Sequence, residues 1–104
     1  MARLIWTAPA LADVEAIAEY IALDNPRAAS RFVQKLFDKV ERLESYPKSG
    51  KRPPELPGTS YREIVVAPCR IFYRLEKSDV YILYVMRSER LLRPYLLELR
   101  EEQK

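Results

Sequence analysis

The sequence predicts an α+β domain of order β-α-α-β-β-β-α, a helical hairpin packed on a small antiparallel sheet with a short C-terminal helix behind it. Three observations predict it. Apolar residues recur at steps of three and four from Leu11 to Leu43, interrupted once by Asp24-Asn25-Pro26. Three strand-like runs follow between residues 61 and 87, joined by short turns, which makes them an antiparallel meander. The chain has 104 residues, enough for one core, so residues 1–104 form a single domain.

The first strand is read at residues 3–7 (Arg-Leu-Ile-Trp-Thr), rich in strand-favouring types. Thr7 can cap a helix that Ala8, Pro9 and Ala10 open, because proline is tolerated in a first turn. Leu11, Val14, Ile17, Ala18 and Ile21 form its apolar face. Asp13, Glu15 and Glu19 lie elsewhere on its surface and suit the positive end of the helix dipole. Asn25 is the N-cap of a second helix, with Pro26 at its first position. Ala29, Phe32, Val33, Leu36, Val40 and Leu43 carry the helical period to about Tyr46. So short a joint makes the two helices antiparallel.

Residues 47–57 hold Pro47, Pro53, Pro54, Pro57 and Gly50, so neither helix nor central strand passes through them. They read as a stiff strap. The meander strands are residues 61–66, 70–76 and 80–87, with turns at Ala67-Pro68-Cys69 and Lys77-Ser78-Asp79. In the middle strand Ile71, Tyr73 and Leu75 face the helices. Arg70, Phe72, Arg74 and Glu76 face the other way and are expected to be at least partly wet. The first strand must join an edge of the meander, either one as far as the residues tell. Leu91, Leu92, Leu96, Leu97 and Leu99 stand among charges in the tail, where Pro94 marks a first turn or a kink of the last helix.

Composition excludes whole chemistries. There is no histidine and one cysteine. Ser-His-Asp and Cys-His nucleophile systems are ruled out, as are zinc sites of Cys and His and any disulfide within the chain. No Gly-rich phosphate loop is present, so neither ATP nor NAD is expected; no cofactor and no metal is expected. No apolar run reaches the ~18 residues of a membrane span, and the N-terminus lacks the apolar run of a signal peptide. A cytoplasmic protein without a membrane partner is expected, and one unpaired cysteine fits a reducing compartment.

The formal charge is +3, unevenly placed. Residues 1–46 carry 6 basic and 7 acidic groups, residues 47–74 carry 6 and 2, and residues 75–104 carry 6 and 6. The local +4 comes from Lys48, Lys51, Arg52, Arg62, Arg70 and Arg74; Arg87, Arg90 and Arg93 follow the last strand. Arg62 and Arg70 flank the first turn and are expected to approach one another, with Arg87 joining them if it points to the same face. Such a surface meets nucleic acid or an acidic protein segment; the plain alternative is a solvated face paired to Glu63 and Glu76. Phe72 and Tyr81 stack bases or pack against their neighbours. Without histidine, acid–base work would fall to Glu63, Glu89, Tyr95 or the arginines. Glu63 reads first as a surface ion-pair partner, and Cys69 as a bystander in a turn.

The chain resembles the RelE/ParE superfamily of toxins from type II toxin–antitoxin modules. The resemblance is carried by Trp6-Thr7-Ala8-Pro9-Ala10-Leu11-Ala12-Asp13, Ile17-Ala18-Glu19-Tyr20-Ile21, Asn25-Pro26-Arg27-Ala28-Ala29 and Tyr46-Pro47-Lys48-Ser49-Gly50-Lys51-Arg52-Pro53. Tyr61-Arg62-Glu63-Ile64-Val65-Val66, Arg70-Ile71-Phe72-Tyr73-Arg74 and Val80-Tyr81-Ile82-Leu83 complete it. It implies a cytoplasmic toxin, the agent of growth arrest and plasmid stabilization, silenced by a cognate antitoxin whose C-terminal segment folds as it wraps the toxin. In the branch favoured, ParE, the antitoxin is ParD-like, DNA-binding and dimeric, and the target is DNA gyrase, inhibited by binding rather than by catalysis. The alternative is the RelE branch, which cuts mRNA on the ribosome. There Arg62, Arg70, Arg74 and Arg87 would supply the catalytic cations, although no histidine is available and Tyr95 matches no motif position. A second alternative is an inactive homologue that only binds antitoxin. For target or antitoxin binding the resemblance and the charge together nominate Lys51, Arg52, Arg62, Arg70, Arg74, Arg87, Arg90 and Arg93.

Overall fold

In the computed structural model, which describes residues 1–104, the elements are β1 (Arg3–Trp6), α1 (Ala8–Asp24), α2 (Pro26–Glu41), a 3-10 turn (Arg42–Glu44), β2 (Tyr61–Val66), β3 (Cys69–Glu76), β4 (Asp79–Arg87) and α3 (Pro94–Gln103). The order is the one the sequence predicts. The first strand ends one residue early because Thr7 serves as the cap. Its Oγ1 accepts from Ala10 N at 3.4 Å and donates to Ile82 O at 2.7 Å, tying the start of α1 to β4. Asn25 alone joins the helices, and its Oδ1 accepts from Ala28 N at 3.1 Å. Such caps satisfy orphan N–H groups and are each worth about 1 kcal/mol. No acidic residue falls in the first turn of α1, so the expected dipole contribution of Asp13 is replaced by a different use of its carboxylate.

The four strands run β1-β4-β3-β2. β2–β3 and β3–β4 are antiparallel, but β1 lies parallel to β4, so the sheet is mixed. The choice of edge follows from the strap, which occupies residues 45–60. Lys51 N donates to Glu63 O at 3.0 Å and Glu63 N to Lys51 O at 2.8 Å, closing the β2 edge where β1 would otherwise fit. Tyr73 anchors the same strap. Its Oη donates to Pro47 O at 2.8 Å and accepts from Gly50 N at 2.9 Å. A Cβ on Gly50 would stand 2.5 Å from that oxygen, which is why glycine is needed at this close approach.

Helices α1 and α2 cover one sheet face, over a core that includes Val14, Phe32, Leu36, Val40, Ile71, Tyr73, Ile82 and Val85. The opposite face departs from the expectation of a wet surface. Phe72, Leu83, Met86, Leu56, Leu92 and Leu97 form a second core there, roofed by α3 and the strap. A bulge makes it possible. Phe72 pairs with Tyr84 and Tyr73 with Ile82, leaving Leu83 unopposed. Leu83 and Tyr84 therefore both pack on the α3 side, and the alternation resumes with Val85 in the first core and Met86 in the second. No helix is long and apolar enough to cross a membrane.

Candidate functional site

β1 has four residues and β4 nine, and their pairing stops at Trp6↔Ile82. From Leu83 to Arg87 the β1 side of β4 is therefore open, with α1 running beside it. Between them lies a groove of about 460 Å³, walled by Asp13, Ile17 and Tyr20 of α1 and by Val85 and Arg87 of β4, with Arg90 at its mouth. Two side chains occupy the strand edge in place of a neighbouring strand. Asp13 Oδ2 accepts from Val85 N at 3.0 Å, and Arg100 Nη1 donates to Leu83 O at 2.9 Å. At the other end of the groove the Arg87 guanidinium lies 4.9 Å from the Tyr20 ring centroid, with its Nε 2.6 Å from Glu89 Oε1. Tyr20 is largely exposed, so this end presents an aromatic ring beside two cations.

The nominated arginines do not converge. Arg62 lies opposite Tyr73, and its Nη1 donates to Lys48 O at 3.1 Å and Gly50 O at 2.8 Å. Arg70 points to the opposite sheet face, over the Phe72 ring at 4.9 Å, so the pair expected across the hairpin does not form. The β2–β3 register places Arg62 opposite Tyr73 but Arg70 opposite Val65, an odd number of residues apart, and strand side chains alternate. Arg87 pairs with Cys69 on the helix side, at the far end of the sheet from Arg62. Arg74 binds Glu101 of α3 at 3.0 Å, and Arg52 donates to Thr59 O. Lys51 is exposed on the strap, and Arg90 and Arg93 are exposed after β4, only Arg90 lining the groove.

Arg70 makes four hydrogen bonds, two to Glu63 (2.6 and 2.9 Å) and two to Glu55 (2.7 and 2.8 Å). Glu63 is a buried residue, at 1 % exposure, which corrects its reading as a surface partner. The doubly bidentate guanidinium offsets its desolvation. These hydrogen bonds hold the Glu55 carboxyl down at about 2 and push the Arg70 guanidinium further up. Burial pushes the Cys69 thiol up to about 11, which makes it inert as a nucleophile. Phe72 is fully buried, so it packs and does not stack bases, while Tyr81 lies under Lys104 Nζ at 4.2 Å. Glu76 is paired with Lys104 at 2.8 Å. Tyr95 is exposed on α3, and Glu89 is taken up by Arg87. The residues that sequence reasoning missed are Asp13 and Arg100. They stand 87 positions apart, and nothing local marks them as partners.

A helical hairpin on one face of a β1-β4-β3-β2 sheet, with a groove along an open strand edge, is the fold that the resemblance to RelE/ParE toxins implies. The chain belongs to the ParE toxin family of the type II toxin–antitoxin system parDE, whose family model matches residues 4–92. It is 42% identical over 88 residues to the putative toxin Y4kP of Sinorhizobium fredii (strain NBRC 101917 / NGR234), covering 83% of this chain and 88% of that protein. It is 35% identical over 92 residues to toxin RelE2 of Caulobacter vibrioides (strain ATCC 19089 / CIP 103742 / CB 15), covering 88% of this chain and 100% of that one. A solved structure, a chromosomal ParDE toxin–antitoxin system from P. aeruginosa, superposes with a TM-score of 0.72 at 30% identity, covering 86% of this chain and 98% of that chain.

Proposed function

We propose that this toxin acts in the cytoplasm by binding DNA gyrase and so blocking DNA replication, and that a cognate ParD-like antitoxin holds it inactive. The disposition of the four candidate catalytic arginines carries the reading. Arg62, Arg70, Arg74 and Arg87 are each engaged by protein oxygens, and they are spread over both faces and opposite ends of the sheet. A phosphate in flight needs cations converging on one point, with a positioned base beside them. A protein target needs an apolar strip with a polar rim instead. Tyr95 and Leu99 stand one turn apart on α3, both exposed, and exposed Leu91, Arg90 and Arg93 precede the helix. The α1/β4 groove suits the antitoxin. Its exposed Arg90 complements an acidic segment, and its aromatic and apolar walls give that segment something to bury.

The test is a supercoiling assay with purified toxin, gyrase and relaxed plasmid. Inhibition, or trapped cleaved DNA, is expected, and relief on adding antitoxin. Full supercoiling at large toxin excess overturns the gyrase reading. Translating ribosomes incubated with the same preparation are expected to keep their messages intact; cut messages would place the protein in the ribonuclease branch. Absence of growth arrest on induction without antitoxin would leave only the antitoxin-binding role.

A further inference from the structure

We propose that a ridge of four cations, Arg31, Lys35, Lys39 and Arg42 along α2 and its 3-10 extension, binds the phosphodiester backbone of a nucleic-acid duplex. All four line one shallow groove of about 340 Å³. Lys51 is not part of the ridge: it stands directly opposite Glu63, so its side chain lies on the Glu63 and Phe72 face of the sheet, away from α2. The ion pairs of the molecule engage Arg3, Arg70, Arg74, Arg87, Arg100 and Lys104, and none of these four. The carboxylate lining the groove is Asp38, which accepts from Gln34 at 2.9 Å.

The chemistry of the walls selects the partner. The α2 groove has no apolar lining residue. Protein interfaces need an apolar centre to supply binding energy, whereas contacts to phosphate draw on charge and counterion release alone. No aromatic residue lines it, so the bases of a single strand find nothing to stack on. Arg31, Lys35 and Lys39 advance about 6 Å per step along a straight helix, which presents cations as a row rather than a cluster. A row without base-reading partners fits a backbone bound without sequence preference. Charge counting along the chain hides the ridge, because four of the seven acidic residues in 1–46, Asp13, Glu15, Glu19 and Asp24, lie on α1; the other three, Asp38, Glu41 and Glu44, lie on α2 and its extension and make no ion pair with the ridge. The ridge shares no lining residue with the α1/β4 groove, and the inference holds whether the toxin acts on gyrase or on the ribosome.

The experiment measures anisotropy of labelled 20-base-pair duplexes of arbitrary sequence, one DNA and one RNA, titrated with the full-length toxin over a series of salt concentrations. The expected result is weak, sequence-independent binding whose log–log salt slope for DNA is about −3 to −4, a loss of roughly 150-fold between 50 and 200 mM salt. The Lys35→Gln/Lys39→Gln variant is expected to flatten that slope by about 2, and Lys77→Asn, in the β3–β4 turn, to leave it unchanged. Tighter binding of one duplex identifies DNA or RNA as the source of the backbone. No binding at 50 mM salt, or a slope that the double substitution leaves unchanged, overturns the proposal. So does tighter binding of a polyglutamate of matched charge, which would assign the ridge to an acidic protein. A separate Arg31→Gln variant is expected to flatten the slope by about 1, so the proposal stays testable if the double variant fails to fold.

Discussion

Arg100 of α3 grips Asp13 of α1 through two parallel hydrogen bonds of 2.9 Å, Nη1 to Oδ2 and Nη2 to Oδ1. The same two groups hold the β4 edge at Leu83 and Val85, and the guanidinium lies 4.8 Å from the Tyr84 ring centroid. One pair thus binds the hairpin, the sheet and the C-terminal helix, and it caps the Leu83 and Val85 positions of the strand edge that β1 leaves uncovered. Replacing Arg100 by Met leaves a mostly buried carboxylate with one backbone donor. A loss of about 2 kcal/mol is expected, read as a lower urea midpoint at unchanged m. Faster hydrogen exchange at Val85 and in α3 is expected with it.

The strap depends on one phenol. Tyr73→Phe removes the acceptor for Gly50 N and the donor to Pro47 O in a fully buried place. A cost of about 1–3 kcal/mol is expected, with faster proteolysis within residues 45–60. Gly50→Ala attacks the same joint from the other side, since its Cβ would also meet Glu63 O at 2.8 Å. Thermal unfolding of both variants checks this. A melting temperature unchanged in Gly50→Ala would mean that the strap relaxes freely.

The second core rests on Leu97, which is fully buried under the sheet face opposite the hairpin. Leu97→Ala is expected to cost about 2–5 kcal/mol. Because Phe72, Leu83 and Met86 lie beneath it, the variant is also expected to bind a hydrophobic dye more strongly than wild type.

The Glu55–Arg70 contact sets a pH dependence. Glu55 titrates at about 2 when folded, against an ordinary value of 4.5. A carboxyl depressed in this way contributes stability that is fully present above the ordinary value and lost as pH falls toward the folded one. Denaturant midpoints are expected to decline from about pH 5 to about pH 2. Glu55→Gln is expected to shrink the decline, modestly, since solvent reaches a third of the side chain and screens the pair.

Cys69 is fully buried and its thiol is pushed up to about 11. The native protein is expected to resist thiol reagents at pH 8 and to react with one equivalent once unfolded, which a spectrophotometric thiol titration measures.

Local rules account for what the residue pattern revealed. Thr7, Asn25 and Pro26 mark helix starts through groups within three residues of themselves. The 3.6-residue period of Phe32, Leu36 and Val40 marks a buried face without reference to the rest of the chain. The two-residue alternation of β3 is equally legible, but it breaks in β4 at Leu83, because a bulge is a property of a strand pair and not of one strand. Charge counting along the chain found the excess around Arg62, Arg70 and Arg74 yet not their fates. Glu55, Glu63 and Glu101, and the carbonyls of Lys48 and Gly50, reach them only once the strap and α3 have folded into place.

The sequence by itself determined the order of the elements, the hairpin, the strap and the meander, since each is written in caps, turns and periods that act over a few residues. Only the tertiary structure decided which edge β1 takes, that the second sheet face is a core, that the arginines scatter, and that Asp13 and Arg100 meet. Those outcomes depend on competition between distant groups for the same strand edge or the same carboxylate. Lys51 closing β2 leaves β4 to β1, and β1 ends early enough to leave Leu83–Arg87 open as a groove.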